Sequence, residues 1–111
     1  MAKFILLLRE GEFENYSPEE MQKIVERYLG WSQKLRDDGR YHAGEELKET
    51  GRILSTKNNR VVDGPFTETK ESIGGFFLIE AKDYEDAVQI SKECPHLSYG
   101  GVVELREVNP H

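Results

Sequence analysis

The chain has 111 residues, which suffices for one domain around one core and not for two. Its charged fraction of 32% and net charge of −6 exclude a nucleic-acid or anionic-membrane binder, because both need clustered Lys and Arg, and no such cluster occurs here. One cysteine, Cys94, rules out an internal disulfide and suits a reducing compartment.

The opening segment, Phe4 to Leu8, is five apolar residues in a row and reads as a strand covered on both faces. It is too short for a signal-peptide core or a membrane span, so a cytoplasmic protein is expected. Ser17, Pro18 and Glu20 then make a capping box with proline at the first helical position. Met21, Ile24, Val25, Tyr28, Leu29 and Leu35 follow at helical spacing, with Ser32 interrupting the stripe. The helix is expected to end near Asp38, with Gly39 as its left-handed stop.

Tyr41, Ala43, Glu45 and Leu47 alternate with more polar neighbours and suggest a short strand. Arg52–Ser55 and Arg60–Asp63 flank an Asn58-Asn59 pair, which tolerates positive φ and predicts a two-residue hairpin. Gly75 to Ile79 is the second apolar run. Asp83 caps a helix whose stripe is Tyr84, Ala87, Val88, Ile90 and Cys94, and Pro95 stops it. The last strand carries Val103 and Leu105 on one face and Glu104 and Arg106 on the other. This order is βαββαβ with an inserted β-hairpin, an α+β chain of ferredoxin-like pattern. Both helices then fall on one sheet face. The other face is left bare, and a second copy packed sheet to sheet would cover it, so a homodimer is expected.

Between the hairpin and the second apolar run lies DGPFTETKE, Asp63 to Glu71, followed by GGFFLIEA. Together with GEELKETGRIL, DYEDAVQISKECP and GGVVELREV, it resembles the DGPF-type proteins of the YCII-related family over nearly the whole chain. The resemblance implies one domain, residues 1–111, as a ferredoxin-like subunit of a dimeric α+β barrel. It departs from smaller relatives, whose first helix carries a His discussed as half of a His–Asp pair. The first helix here holds no His, so of that pair only Asp63 has a counterpart.

Read from its residues, the segment has a structural and a functional meaning. Gly64 and Pro65 shape a turn and Asp63 can hold it through backbone N–H groups, or a buried Asp63 can act as a general base. Phe66 is a packing anchor or a wall of a ligand site. Glu68, Lys70 and Glu71 are a solvated or dimer-contacting loop, or a polar site for a small molecule. His42 is the histidine nearest in role to the missing one, histidine being the side-chain type suited to acid–base work near neutral pH. His96 and His111 stand in a loop and at the terminus as lesser candidates, Cys94 reads as packing before nucleophile, and Tyr28 and Trp31 read as core or interface aromatics or, second to that, as an aromatic wall of a ligand pocket. Three scattered His and one Cys show no metal-ligand spacing, and no cofactor motif occurs.

Two functions therefore stand side by side. One is a metal-independent small-molecule enzyme with Asp63 as base, His42 or Lys70 as acid or stabiliser, and Phe66, Glu68 and Glu71 contacting the ligand. The other is a non-catalytic binding or regulatory module in which the DGPF segment serves structure and dimerisation. The small molecule is unidentified under both.

Overall fold

The computed structural model describes residues 1–66 and 72–111. In chain order they form β1 (Ala2–Arg9), α1 (Pro18–Asp37), β2 (Tyr41–Glu46), β3 (Arg52–Lys57), β4 (Arg60–Pro65), β5 (Ile73–Ala81), α2 (Tyr84–Lys92), a 3-10 helix (Pro95–Tyr99) and β6 (Val102–Glu107). Four strands make one antiparallel sheet in the order β2-β5-β1-β6, and β3 and β4 pair with each other. With the hairpin set aside, this is the α+β, ferredoxin-like split βαβ arrangement.

Local chemistry sets the element ends. Ser17 Oγ accepts from the Glu20 N–H at 3.1 Å and Glu20 Oε1 accepts from the Ser17 N–H at 3.2 Å, so two free helix donors are satisfied at once. Gly39 adopts φ +71° just past the end of α1. Asn58 and Asn59 take φ of 50° and 64°, the primed turn that matches strand twist.

The register explains which face is buried. Phe4, Leu6 and Leu8 stand opposite Ile79, Phe77 and Gly75, and all six are buried towards the helices. Trp31 and Leu35 of α1, with Ala87 of α2 and Cys94, complete this core. The Trp31 ring meets Phe77 edge-on at 5.1 Å. On the opposite sheet face Ile5, Leu7, Phe76 and Leu78 are only half-buried, since both helices pack elsewhere.

Two expectations of alternation need correction. In β2 the register jumps between Tyr41 and Ala43, leaving His42 as an extra residue in a bulge. Tyr41 therefore faces the helices, under the Arg36 guanidinium at 4.1 Å, while Ala43 pairs with Leu78 on the bare face. In α1, Val25 and Leu29 belong to the apolar stripe by spacing, yet they are 40% and 61% exposed. The helix overhangs the end of the sheet there and roofs an open space.

The β3–β4 hairpin leaves the body as an arm. Every residue of β3 is exposed, and so are all of β4 except Gly64. The radius of gyration is 16.0 Å, against about 13 Å for a compact chain of ~100 residues.

Candidate functional site

Under the overhang of α1 lies an open cleft of about 1100 Å³. Its floor is the helix-facing end of the sheet, with Gly44, Gly75 and Phe77. Met21, Ile24, Val25 and Leu29 form the roof. Phe66 closes one side and the β1–α1 connection, with Phe13, the other. The rim is charged, with Arg36 and Lys48 among a majority of glutamates that includes Glu10 and Glu46.

Two polar side chains of the wall are joined to each other. Tyr28 Oη lies 2.9 Å from His96 Nδ1, and His96 Nε2 lies 2.7 Å from the Arg9 carbonyl oxygen. A carbonyl can only accept, so Nε2 carries the imidazole proton. Nδ1 is then the lone-pair nitrogen and accepts from the Tyr28 hydroxyl. The tautomer is thus fixed by the backbone. The Arg9 carbonyl is available because β1 bulges between Leu8 and Arg9 against β5.

His96 is 5% exposed, and burial lowers its pKa from the ordinary value, partly offset by the Arg9 carbonyl. Burial raises the Tyr28 pKa strongly, with Cys94, Tyr99 and Glu46 adding to it and Arg27 opposing. Both groups are therefore neutral at pH 7. Burial also pushes the Cys94 thiol up to about 11, which makes it packing rather than a nucleophile.

The histidine sits in a fitted slot. A Cβ on Gly11 would come within 2.8 Å of the ring, and one on Gly101 would collide with it. Glycine at both positions lets backbone close on both sides of the imidazole. Phe13 and Tyr99 flank it, with Phe13 at 6.2 Å from His96 and 5.7 Å from Tyr99. Arg27 donates to the Tyr99 hydroxyl and holds that ring over α1.

The residues named from sequence are placed differently. Phe66 lines the cleft, its ring against Gly51. Asp63 lies on the arm, its Oδ2 2.7 Å from Arg52 Nη1 across the hairpin, and its side chain is 45% exposed. His42 stands on the bare sheet face, with Nε2 3.5 Å from Glu80 Oε2. The chain thus holds Asp63 and His42 on separate sheets, each with its own partner. Glu68, Lys70 and Glu71 lie outside the described residues. Among the described residues no group of three or more His, Cys, Asp or Glu is placed to hold a metal ion, and no helix is long and apolar enough to cross a membrane.

The sequence offers Tyr28 first as a core or interface aromatic and His96 as a lesser candidate in a loop, and nothing in it joins the two. Only the glycines hint at them: Gly11, Gly100 and Gly101 stand at the two connections that close on the histidine, but 87 residues separate His96 from the carbonyl that fixes its tautomer.

Comparison with known proteins adds the following. The profile of the YCII-related domain matches residues 3–111. An uncharacterised protein of Rhizobium meliloti (strain 1021) is 26% identical over 82 residues, which are 70% of this chain and 66% of that protein. Two solved structures are similar. A 5-chloro-2-hydroxyhydroquinone dehydrochlorinase from Burkholderia phenoliruptrix AC1100, in complex with 2,5-dihydroxybenzoquinone, aligns at 16% identity and TM-score 0.48, over 96% of this chain and 93% of that one. An Arabidopsis thaliana protein aligns at 14% identity and TM-score 0.42, over 100% and 96%.

Proposed function

The chain belongs to the YCII-related domain family, and from that premise we propose that it binds a small organic molecule in the cleft beneath α1 and converts it by metal-independent acid–base chemistry. The observation that carries this reading is the hydrogen-bonded chain from Tyr28 through His96 to the Arg9 carbonyl, set in the wall of a cleft large enough for a metabolite. On this reading Tyr28 and His96 take the acid–base role that sequence gives to Asp63 and His42. Asp63 is already paired with Arg52, and His42 looks out from the other side of the sheet. Phe66 keeps its role as a wall. Glu68, Lys70 and Glu71 are proposed as charged contacts of the bound molecule.

A cytoplasmic homodimer is the setting we infer. The half-buried apolar face of the sheet and the exposed arm support a second copy, and a free, buried Cys94 suits a reducing compartment. A second reading, binding without turnover, draws support from the neutrality of both wall groups, which can hold a ligand without passing a proton.

A thermal-shift screen of a metabolite library, with turnover measured on every hit, tests both. A ligand at 100 times its Kd stabilises by about 2.7 kcal/mol. Catalysis predicts that Tyr28→Phe lowers turnover by roughly 10²–10⁴-fold while the thermal shift persists. Hits that bind equally well to Val25→Trp, which blocks the cleft, would place the ligand elsewhere and end the proposal.

A further inference from the structure

We propose that the molecule held in this cleft presents an acidic hydroxyl, a phenol or an enol, to Tyr28, and that Tyr28 relays its proton to His96. This rests on the proposed function and narrows it to a class of ligand.

Hydrogen-bond direction decides which ligand groups the Tyr28 oxygen can meet. The Arg9 carbonyl accepts from Nε2–H, so Nδ1 must accept, so the Tyr28 hydroxyl must donate inward. The Tyr28 proton is then committed, and the phenol oxygen offers the cleft only lone pairs. A carbonyl or carboxylate of a ligand would meet lone pair with lone pair. To be bound there it would have to take the Tyr28 proton away from His96 and leave Nδ1 buried without a donor, which is costly. A ligand O–H fits with no rearrangement.

The pair also selects how acidic that hydroxyl is. His96 is buried, and the imidazolium it would form is a weaker base's conjugate than in water. An aliphatic alcohol holds its proton far too tightly for such a base, whereas a phenol or enol gives it up to a delocalised anion. The surroundings match the remaining body of such a molecule. Phe77, Tyr41, Phe66, Met21 and Ile24 line the cleft, and Arg36 lines it too as a cation for the resulting anion.

The step balances without a co-reactant. The ligand O–H bond breaks and its proton joins Tyr28 Oη. The proton formerly on Tyr28 moves to His96 Nδ1. The products are a ligand oxyanion and an imidazolium whose Nε2–H stays on the Arg9 carbonyl, now as a charge-assisted bond. No electron changes hands. The ionisable groups around the relay are Tyr28 and Arg27 from α1, Glu46 from β2, and Cys94 and Tyr99 beside His96. Tyr28 would touch the ligand; His96 acts through it as a positioning base.

Matched probes test this on the full chain. The pairs are p-nitrophenol with p-nitroanisole and catechol with 1,2-dimethoxybenzene, and p-nitrobenzoate supplies the acceptor anion. Binding is followed by NMR shifts of α1 residues and by the ¹⁵N shift of His96 Nδ1. The expected result is that each phenol outbinds its ether by roughly threefold to tenfold. Tyr28→Phe should bring that ratio near one, and p-nitrophenol alone should move Nδ1 to its protonated range in the unaltered protein. Ethers that bind in the cleft as tightly as phenols, tighter binding of p-nitrobenzoate, or an unmoved Nδ1 with p-nitrophenol bound would overturn the inference and leave the cleft as a binding site. If no probe and no library compound shifts α1, the proposed function falls and this inference with it. The Nδ1 readout needs no variant, so a misfolded Tyr28→Phe does not blunt the test.

Discussion

The four-stranded sheet and the β3–β4 hairpin are built from the same kinds of residue and end in opposite states. Phe4, Leu6 and Ile79 in the sheet are fully buried, whereas Ile53, Leu54 and Val61 in the hairpin are 52%, 66% and 73% exposed. The sheet hides one face under two helices. The hairpin carries apolar residues on both faces, Leu54 near Val61 on one and Ile53 near Val62 on the other, and the described residues cover neither. An isolated two-stranded hairpin is marginal in water at best. The body therefore buries one of its two sheet faces within the chain, whereas the arm buries neither of its faces among the described residues.

The largest loss of stability is expected at the centre of the sheet. Phe4→Ala removes a ring that is fully buried and edge-packed against Tyr84 at 4.9 Å. It should cost roughly 3–5 kcal/mol, seen as a lower urea midpoint at unchanged slope. A loss under about 1 kcal/mol would mean that the sheet is no better packed than the arm.

The next effect falls where the sheet meets the cleft. Gly101→Ala puts a methyl group 2.6 Å from the His96 carbonyl oxygen and into the imidazole. Overpacking of this kind costs roughly 1–3 kcal/mol. The same variant should displace Nδ1 from Tyr28 and so alter the His96 ¹⁵N signals. Unchanged signals and stability would show that the slot is looser than the geometry implies.

How far each region could be read from sequence follows the same divide. Elements governed by local rules were legible: the capping box at Ser17, the Asn58-Asn59 turn and the stop at Gly39 all depend on residues within a few positions. The α+β order followed from them. Parity in β2 was not legible, because a bulge at His42 is a response to the neighbouring strand and leaves no mark in the pattern. Nor was the exposure of Leu29, which depends on α1 outrunning the sheet. In the candidate site, Phe66 was legible as an anchor because it is the one large apolar side chain in a charged stretch, although Gly64 and Pro65, expected to shape a turn, instead continue β4 opposite Ile53 and Arg52. Tyr28 and His96 were not, since their meaning comes from a pairing across 68 residues.

Protonation gives a smaller handle on the cleft side. The folded pKa of His96 lies below its unfolded value because the ring is buried. The unfolded chain therefore takes up a proton first as pH falls. Stability is intact above about pH 6.5 and declines from there towards the folded pKa, levelling below it. Tyr28 and Cys94, which lie beside the ring, are both pushed up by burial and stay neutral across this window, and the Arg9 carbonyl stays in place as acceptor. The melting temperature should drop more between pH 7.5 and 5.5 in the unaltered protein than in His96→Gln. Parallel curves would show that His96 does not titrate out of a buried, neutral state.

The smallest effect is the most informative about the arm. Leu54→Ser with Val61→Ser removes apolar surface that, in a single chain, already faces water. Such surface changes usually stay within about 0.5 kcal/mol. Dilute samples in which the chain sedimentes alone should therefore melt as the parent does. Concentrated samples should not, if a second copy covers the arm, because burial in a partner is worth ~25 cal/mol per Å² and is lost with these side chains. The double variant should then sediment as a monomer at concentrations where the parent does not, and its melting temperature should stop rising with concentration. Coincident behaviour of the two at every concentration would leave the arm's exposed residues without a partner of the same chain. It would also remove the reason to extend the sheet's bare face into an interface.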